Sequence, residues 1–188
     1  MAATIFLIRH GQSTFNAHHE ATGEDIGHVD AVLTELGHRQ AAEARARMAA
    51  LTRPDLVISS PLTRALQTTL GIFGDSGIPV EITCRHREQL DHTCDIGRPP
   101  SVLAAEFPGL RFDHLDDPWW HTGPHDHRGL PVEPADLFAG RVAAFARWIA
   151  EHPSATVAVV GHGMFFRHLA GRPFANCEIV QWAPALPG

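Results

Sequence analysis

The chain has 188 residues, which is the usual size of one domain with a full hydrophobic core. Hydrophobic residues make up 44% and charged residues 19%, and no apolar stretch approaches the roughly 20 residues that a membrane-spanning helix needs. The formal net charge of −6 disfavours a broad nucleic-acid-binding surface, because such surfaces depend on clustered lysine and arginine. We therefore expect a single domain over residues 1–188, with neither nucleic acid nor membrane as a partner.

The first residues favour a buried strand over a signal peptide. No basic run precedes the apolar residues 5–8, and Arg9 and His10 stand where a small-residue cleavage site would lie. The chain has three cysteines, an odd number without CxxC spacing, which indicates neither a disulfide framework nor a zinc knuckle. Together these features predict a location in the reducing cytoplasm.

Short runs of β-branched and aliphatic residues alternate with helical patterns along the chain. The strand candidates are residues 4–8, 55–59, 79–82, 156–160 and 178–182. Helices are expected from residues 33–37 through the Ala-rich run 40–51, with Thr34 as N-cap, and over 62–73 and 134–151. This alternation predicts an α/β three-layer sandwich, with a largely parallel central sheet and helices on both faces.

Residues 113–131 (DHLDDPWWHTGPHDHRGLP) are rich in proline, glycine and histidine and have no periodicity, which predicts a long loop or lid. We interpret Trp119 and Trp120 as packing residues first, with substrate stacking or an oligomer contact as alternatives. The histidines of this segment invite a metal hypothesis. Because metal ligands usually lie on rigid elements with supporting partners, we predict neither a metal site nor another cofactor.

Three predicted strands are followed directly by residues that suit phosphate chemistry. Arg9 and His10 follow the first strand, Arg64 lies in the run SSPLTR after the second, and His162 lies between two glycines after the strand at 156–160. Ligands of parallel sheets bind outside the carboxyl ends of the strands, so these residues are expected to meet in one pocket. Arginine forks bind phosphate, and a neutral imidazole of His10 or His162 can attack phosphorus.

Four runs in the same order resemble the histidine phosphatase superfamily, in the branch that includes phosphoglycerate mutases and related phosphatases. They are residues 7–16 (LIRHGQSTFN), 33–41 (LTELGHRQA), 59–68 (SSPLTRALQT) and 160–163 (VGHG). The resemblance implies that His10 accepts the phosphoryl group and that water then removes it. It also implies that Arg9, Arg64 and His162 surround the phosphate and stabilise its equatorial oxygens, with Asn16 as a supporting phosphate-binding residue.

The resemblance further implies that a carboxylate after the third strand donates a proton to the leaving group. Glu88 matches that position best, but the aromatic-glutamate-glycine continuation of the family is absent, so Asp91 and Asp95 remain alternatives. The donor is expected to have a raised pKa, so that it holds a proton near neutrality. A simple ion pair with Arg85 or Arg87 is the competing explanation for Glu88.

These residues predict a metal-independent histidine phosphatase that hydrolyses a small phosphomonoester metabolite. A mutase with the same pocket and a non-catalytic phosphate-binding regulatory domain are the alternatives. The chain lacks the longer insertions and the C-terminal extension of the mutases, which favours hydrolysis. Substrate choice is expected to depend on residues 113–131 and on Arg98, and local capping is a competing explanation for Asn16.

Overall fold

The structure is a computed structural model that describes residues 4–184. Within them the strands are β1 (Thr4–Arg9), β2 (Leu56–Ser59), β3 (Val80–Ile82), β4 (Thr156–Gly161) and β5 (Ile179–Trp182). The α-helices are α1 (Thr14–Thr22), α2 (Glu35–Ala49), α3 (Thr63–Phe73), α4 (Pro100–Glu106), α5 (Ala135–Ala150) and α6 (Gly163–Ala170). Two short 3-10 turns, Cys84–His86 and Thr93–Asp95, lie between β3 and α4.

The strands form one sheet in the order β3-β2-β4-β1-β5. The pairs β1–β4, β4–β2 and β2–β3 are parallel, and only β5 runs antiparallel, against β1. Each predicted strand agrees with its observed counterpart to within one residue at either end. The predicted α/β architecture with a largely parallel sheet is confirmed.

Successive residues of β1 point to opposite faces of the sheet, and this alternation builds the three layers. Phe6 and Ile8 pack with buried side chains of α2 and α3, whereas Ile5 and Leu7 pack with those of α5 and α6. All six residues of β4 are buried, as expected for a central strand that is covered on both faces. The helices therefore hold the sheet between two hydrophobic layers.

The longer helices follow the sequence pattern closely. Thr34 caps α2, since its Oγ1 accepts a hydrogen bond of 3.0 Å from the amide of Gly37. The helices α3 and α5 begin and end within one residue of the predicted bounds. Three short helices, α1, α4 and α6, were not predicted. They have only seven to nine residues and bury one or two of them, which are too few to show a helical period.

Residues 113–131 contain neither helix nor strand, as predicted. Trp119 is buried and packs on a cluster that includes Leu66 of α3 and Leu103 of α4, and its Nε1 donates to the carbonyl of Arg98 at 2.9 Å. Packing is therefore the role of Trp119.

Of the helices between residues 4 and 184, none combines the length and the apolar character needed to cross a membrane.

Candidate active site

A cavity of about 370 Å³ opens at the carboxyl ends of the parallel strands. Its walls come from the end of β1, from α1, from the start of α3, from residues 88–95 and from the first turns of α6. The main polar lining residues are Arg9, His10, Asn16, Arg64, Glu88 and Asp95. Five of the six site residues inferred from the sequence therefore line one cavity, and the sixth, His162, lies directly behind it. Residues 113–131 are not among the residues that line this cavity.

His10 is buried, and its two ring nitrogens have different partners. Nδ1 lies 2.7 Å from the carbonyl oxygen of Gly11, which only accepts hydrogen bonds, so Nδ1 carries the hydrogen. Nε2 accepts from Nε of Arg64 at 3.2 Å, and its lone pair is therefore unprotonated. Burial, followed by the charges of Arg64 and Arg9, holds the pKa of His10 well below its usual value. The imidazole is thus neutral, which is the form that acts as a nucleophile.

Arg64 joins α3 to the connection that follows β3. It donates from Nη1 to the carbonyl of Cys94 at 2.6 Å and from Nη2 to Oδ1 of Asp95 at 2.8 Å. Burial lowers the pKa of Arg64, but its neighbours Cys94, Asp95 and Glu88 more than offset this effect, and the pKa lies above its ordinary value. A permanent cation therefore lies next to His10 at the base of the cavity.

Arg9 supplies a second guanidinium from the end of β1. Its Nη1 donates to the carbonyl of Phe174 at 2.6 Å, whereas its Nε has no hydrogen-bond partner among residues 4–184. A Cβ atom at position 163 would lie 3.1 Å from that Nε, so Gly163 gives the arginine room against α6. Burial lowers the pKa of Arg9 from its very high ordinary value, which still leaves it charged.

His162 is fully buried behind His10, with 5.3 Å between the centres of the two rings. Its Nε2 lies 2.7 Å from Oγ of Ser60, and its Nδ1 has no partner within the described chain. Burial, followed by the charge of Arg64, holds the pKa of His162 well below its usual value. His162 is therefore neutral, and it adjoins His10 without forming part of the cavity wall.

Glu88 reaches across to the first turn of α6. Its Oε2 accepts from the amide of Met164 and its Oε1 from the amide of Phe165, both at 2.9 Å. Burial, followed by the charge of Asp95, raises the pKa of Glu88, although the Met164 hydrogen bond and Arg64 oppose this shift. The structure thus places a carboxyl group with a raised pKa on the wall of the cavity.

Neither neighbouring arginine pairs with Glu88, and the two other candidate carboxylates have different partners. Arg87 pairs with Glu133 at 3.0 Å, and Arg85 lies over the ring of Trp148. The side chain of Asp91 is 53% exposed and pairs with Arg128 at 2.9 Å.

Asp95 is buried, and the donors around it occupy both of its oxygens. Its Oδ1 accepts from Arg64, and its Oδ2 accepts from the amides of Asp91 and His92. All of these partners are hydrogen-bond donors, which suits a carboxylate. Asp95 therefore holds Arg64 and the 3-10 turn Thr93–Asp95 in place.

Asn16 is the third residue of α1 and forms a capping box with Ser13, the residue just before the helix. Its Oδ1 accepts from the amide of Ser13 at 3.2 Å, while its own amide donates to Oγ of Ser13 at 3.1 Å. The capping explanation for Asn16 is therefore realised, and Asn16 also lines the cavity.

Ser60, the hydroxyl partner of His162, was not predicted as a site residue. Its position in the run SSPLTR, four residues before Arg64, is the indication that the sequence contains.

The partners of residues 87–90 were not predicted either, because Glu133 and Arg141 lie more than 40 residues farther along the chain. Among residues 4–184, no three His, Cys, Asp or Glu side chains are grouped so that they could hold a metal ion.

Comparison with known proteins agrees with this geometry. The family model of the histidine phosphatase superfamily (branch 1) matches residues 5–182. The glucosyl-3-phosphoglycerate phosphatase of Mycobacterium tuberculosis (strain H37Rv) is 30% identical, with 100% of this chain and 81% of the relative covered. Its counterpart from Mycolicibacterium vanbaalenii is 34% identical, with 85% of this chain and 68% of the relative covered.

A solved structure extends the likeness to three dimensions. The alpha-ribazole phosphatase from Shigella flexneri superposes with a TM-score of 0.61 at 25% identity, with 90% of this chain and 81% of that chain covered. The chain therefore belongs to the histidine phosphatase superfamily, branch 1, and is a phosphatase of the phosphoglycerate-mutase-like type.

Proposed function

We propose that this phosphatase hydrolyses a small phosphomonoester metabolite through a phosphohistidine on His10. The observation that carries the proposal is the protonation pattern of His10. Its Nδ1 hydrogen is donated to the carbonyl of Gly11, so the lone pair of Nε2 is free of a proton and directed toward Arg64, on the cavity wall. A neutral imidazole next to two fixed cations, Arg9 and Arg64, suits attack on a phosphate dianion.

In the first step, the Nε2 lone pair of His10 forms a bond to phosphorus as the bond from phosphorus to the leaving oxygen breaks. The leaving oxygen takes the proton of Glu88, and the alcohol departs. In the second step, water attacks the phosphohistidine, the bond between nitrogen and phosphorus breaks, and the proton of the water goes to Glu88. His10 and Glu88 then return to their starting states, and the proposed cycle uses no metal or other cofactor.

The groups around the phosphate stabilise its negative charge. We assign Arg9 and Arg64 to its equatorial oxygens, with Asn16 as a further donor, because all three line the cavity. We also assign His162 to the stabilisation of the phosphoryl group, because its ring adjoins the His10 ring that carries this group. In its place behind His10, His162 supports the phosphoryl group once it is bound to that ring.

Glu88 is the proton donor that the geometry supports best. Its hydrogen-bond partners are backbone amides and not a cation, and burial raises its pKa, which favours the protonated form that a general acid needs. Asp95 is instead paired with the cation Arg64, and Asp91 is exposed and paired with Arg128. The other two carboxylates are therefore less suited to the role.

The proposed substrate is a small phosphorylated metabolite, and the proposed outcome is hydrolysis. A cavity of about 370 Å³ suits a metabolite of modest size. The two mycobacterial relatives, which are named glucosyl-3-phosphoglycerate phosphatases, align over most of this chain, which favours hydrolysis over a mutase reaction.

Residues 113–131 remain our proposed lid within one domain. The salt bridge between Arg128 and Asp91 is their link to the rim of the cavity. We also propose a cytoplasmic location, which the three free thiols support.

The test is the release of phosphate and the trapping of the covalent intermediate. We expect wild type to hydrolyse 4-nitrophenyl phosphate and to yield acid-labile phosphohistidine on rapid quenching with radiolabelled substrate. His10→Ala should lose at least about 10³-fold in kcat and give no labelled protein. His38→Ala, which changes an exposed histidine of α2, serves as the control and should retain full activity. Equal phosphate release by wild type and His10→Ala would overturn the proposal.

A further inference from the structure

A buried carboxylate outside the cavity is held between two arginines. Glu133 is 3% exposed and lies just before α5. Its Oε1 accepts from Nε of Arg141 at 2.9 Å and from Nη2 of Arg87 at 3.0 Å, while its Oε2 accepts from Nη2 of Arg141. A charged group is rarely buried in this way unless it is fully paired, and here both of its oxygens are used.

The guanidinium of Arg141 does more than neutralise Glu133. Its Nη1 donates to the carbonyl of Arg87 at 2.7 Å, and its Nη2 donates to the carbonyl of Glu88 at 3.3 Å. The same guanidinium lies over the ring of Phe165, the residue whose amide binds the Glu88 carboxylate. Arg141 thus contacts the main chain of Glu88 without lining the cavity.

The backbone around Glu133 holds the next two residues of the same segment. Its amide donates to the carbonyl of Leu90 at 2.8 Å, and its carbonyl accepts from Nε2 of Gln89 at 3.1 Å. Residues 87–90 form neither helix nor strand, so no ladder of backbone hydrogen bonds fixes them. Glu133 and Arg141 together form hydrogen bonds to each of these four residues.

We infer that Glu133 and Arg141 are positioning residues for the proton donor, and this inference rests on the proposed role of Glu88. They fix the main chain of Glu88, while the amides of α6 fix its carboxyl group. Proton transfer requires the donor to lie within hydrogen-bond reach of the leaving oxygen, and a misplacement of about 1 Å costs up to roughly 10²-fold in rate. Both residues therefore contribute to leaving-group protonation, although neither lines the cavity.

The experiment compares a poor leaving group with a good one. Wild type, Arg141→Lys and Glu133→Gln are assayed with glycerol 2-phosphate, an alkyl ester, and with 4-nitrophenyl phosphate, which needs little protonation. We expect kcat for the alkyl ester to fall about 10- to 30-fold, with KM changed less than about 2-fold and the aryl ester changed less than about 3-fold. Arg141→Lys keeps the positive charge but loses the planar fork, and it serves as the second variant if Glu133→Gln folds poorly.

The matched control is Arg45→Lys, which alters an exposed ion pair with Asp75 and should leave both rates unchanged. In a Glu88→Gln background, Arg141→Lys should cause no further fall in the alkyl rate, because the donor that it positions is gone. An equal loss for both esters, or no loss for either, would overturn the inference and leave Glu133 and Arg141 as structural residues. If Glu88→Gln itself fails to change the alkyl-to-aryl ratio, the proposed donor is wrong, which is a different outcome.

Discussion

The two halves of the cavity are built in different ways. His10, Arg64 and His162 follow three neighbouring parallel strands. The hydrogen bonds between these strands fix the positions of the strand ends that the three residues follow. Glu88 and Asp95 instead lie in residues 83–97, a connection with two short 3-10 turns and no strand. In the first half, the regular backbone of the strands positions the reactive side chains. In the second half, which we call the donor half, hydrogen bonds of side chains to backbone carbonyls and amides position them.

Arg64 is the residue that joins the two halves. It donates to His10 on one side and to Cys94 and Asp95 on the other. A change at this position therefore tests whether the two halves act as one site.

The largest effect that we predict is for Arg64→Lys. A single ammonium keeps the charge, but it cannot bind His10, Asp95 and the Cys94 carbonyl together. We expect kcat/KM to fall about 10³-fold, and equally for alkyl and aryl phosphates, because both present the same phosphate to the arginine. Steady-state kinetics with glycerol 2-phosphate and 4-nitrophenyl phosphate measure this, with Arg111→Lys at an exposed ion pair as the control. A loss confined to the alkyl ester would show that Arg64 acts through the donor half alone.

The second prediction separates the two carboxylates of the connection. Glu88→Gln removes the transferable proton, so kcat should fall about 10²-fold for the alkyl ester and by less than about 5-fold for the aryl ester. Asp95→Asn keeps its shape but loses the charge that pairs with Arg64, so both esters should slow to a similar degree. Both variants are assayed with glycerol 2-phosphate and 4-nitrophenyl phosphate, so that the effects of the two substitutions can be compared directly. If Asp95→Asn instead gave the leaving-group dependence, the donor would be Asp95.

The sequence predicted the strand half of the site much better than the connection. The β-branched runs ending at Ile8, Ser59 and Val160 have a clear strand pattern, and strand ends of a parallel sheet must share an edge. Residues 83–97 have no period, and their conformation depends on partners far along the chain, such as Arg141 and Asp25. Hence the position of Glu88 was inferred only from a resemblance.

Short helices were missed for a related reason. The helix α6 has eight residues, and two of them, Phe165 and Phe166, are buried, so its pattern spans barely two turns. Its first turn nevertheless supplies two of the three amides that bind the carboxyl group of Glu88, those of Met164 and Phe165; the third is that of Gln89. This part of the donor half could not be predicted from the sequence, because a helical period is recognisable only over a longer segment.

The smallest predicted effect concerns the attachment of the connection to the sheet. His86 is fully buried in the first 3-10 turn, and its Nε2 lies 3.0 Å from the carbonyl of Val160 in β4, to which it donates. Burial lowers the pKa of His86 from 6.5 to about 4. Above pH 6.5 the histidine is neutral in both the folded and the unfolded state, so it does not make stability depend on pH.

As the pH falls from 6.5 toward 4, the unfolded chain binds a proton at His86 that the folded protein does not, so stability is lost in that window. At about 1.4 kcal/mol for each pKa unit, the loss at pH 4.5 is about 2 to 3 kcal/mol. His86→Gln keeps an amide donor for Val160 but cannot titrate. Its free energy of unfolding, measured by urea denaturation at pH 7 and 4.5, should therefore fall less than that of wild type by about this amount. The exposed variant His38→Gln should show the same pH dependence as wild type. If His86→Gln also shows the wild-type pH dependence, protonation of His86 does not weaken the attachment of the connection to the sheet, and the prediction is wrong.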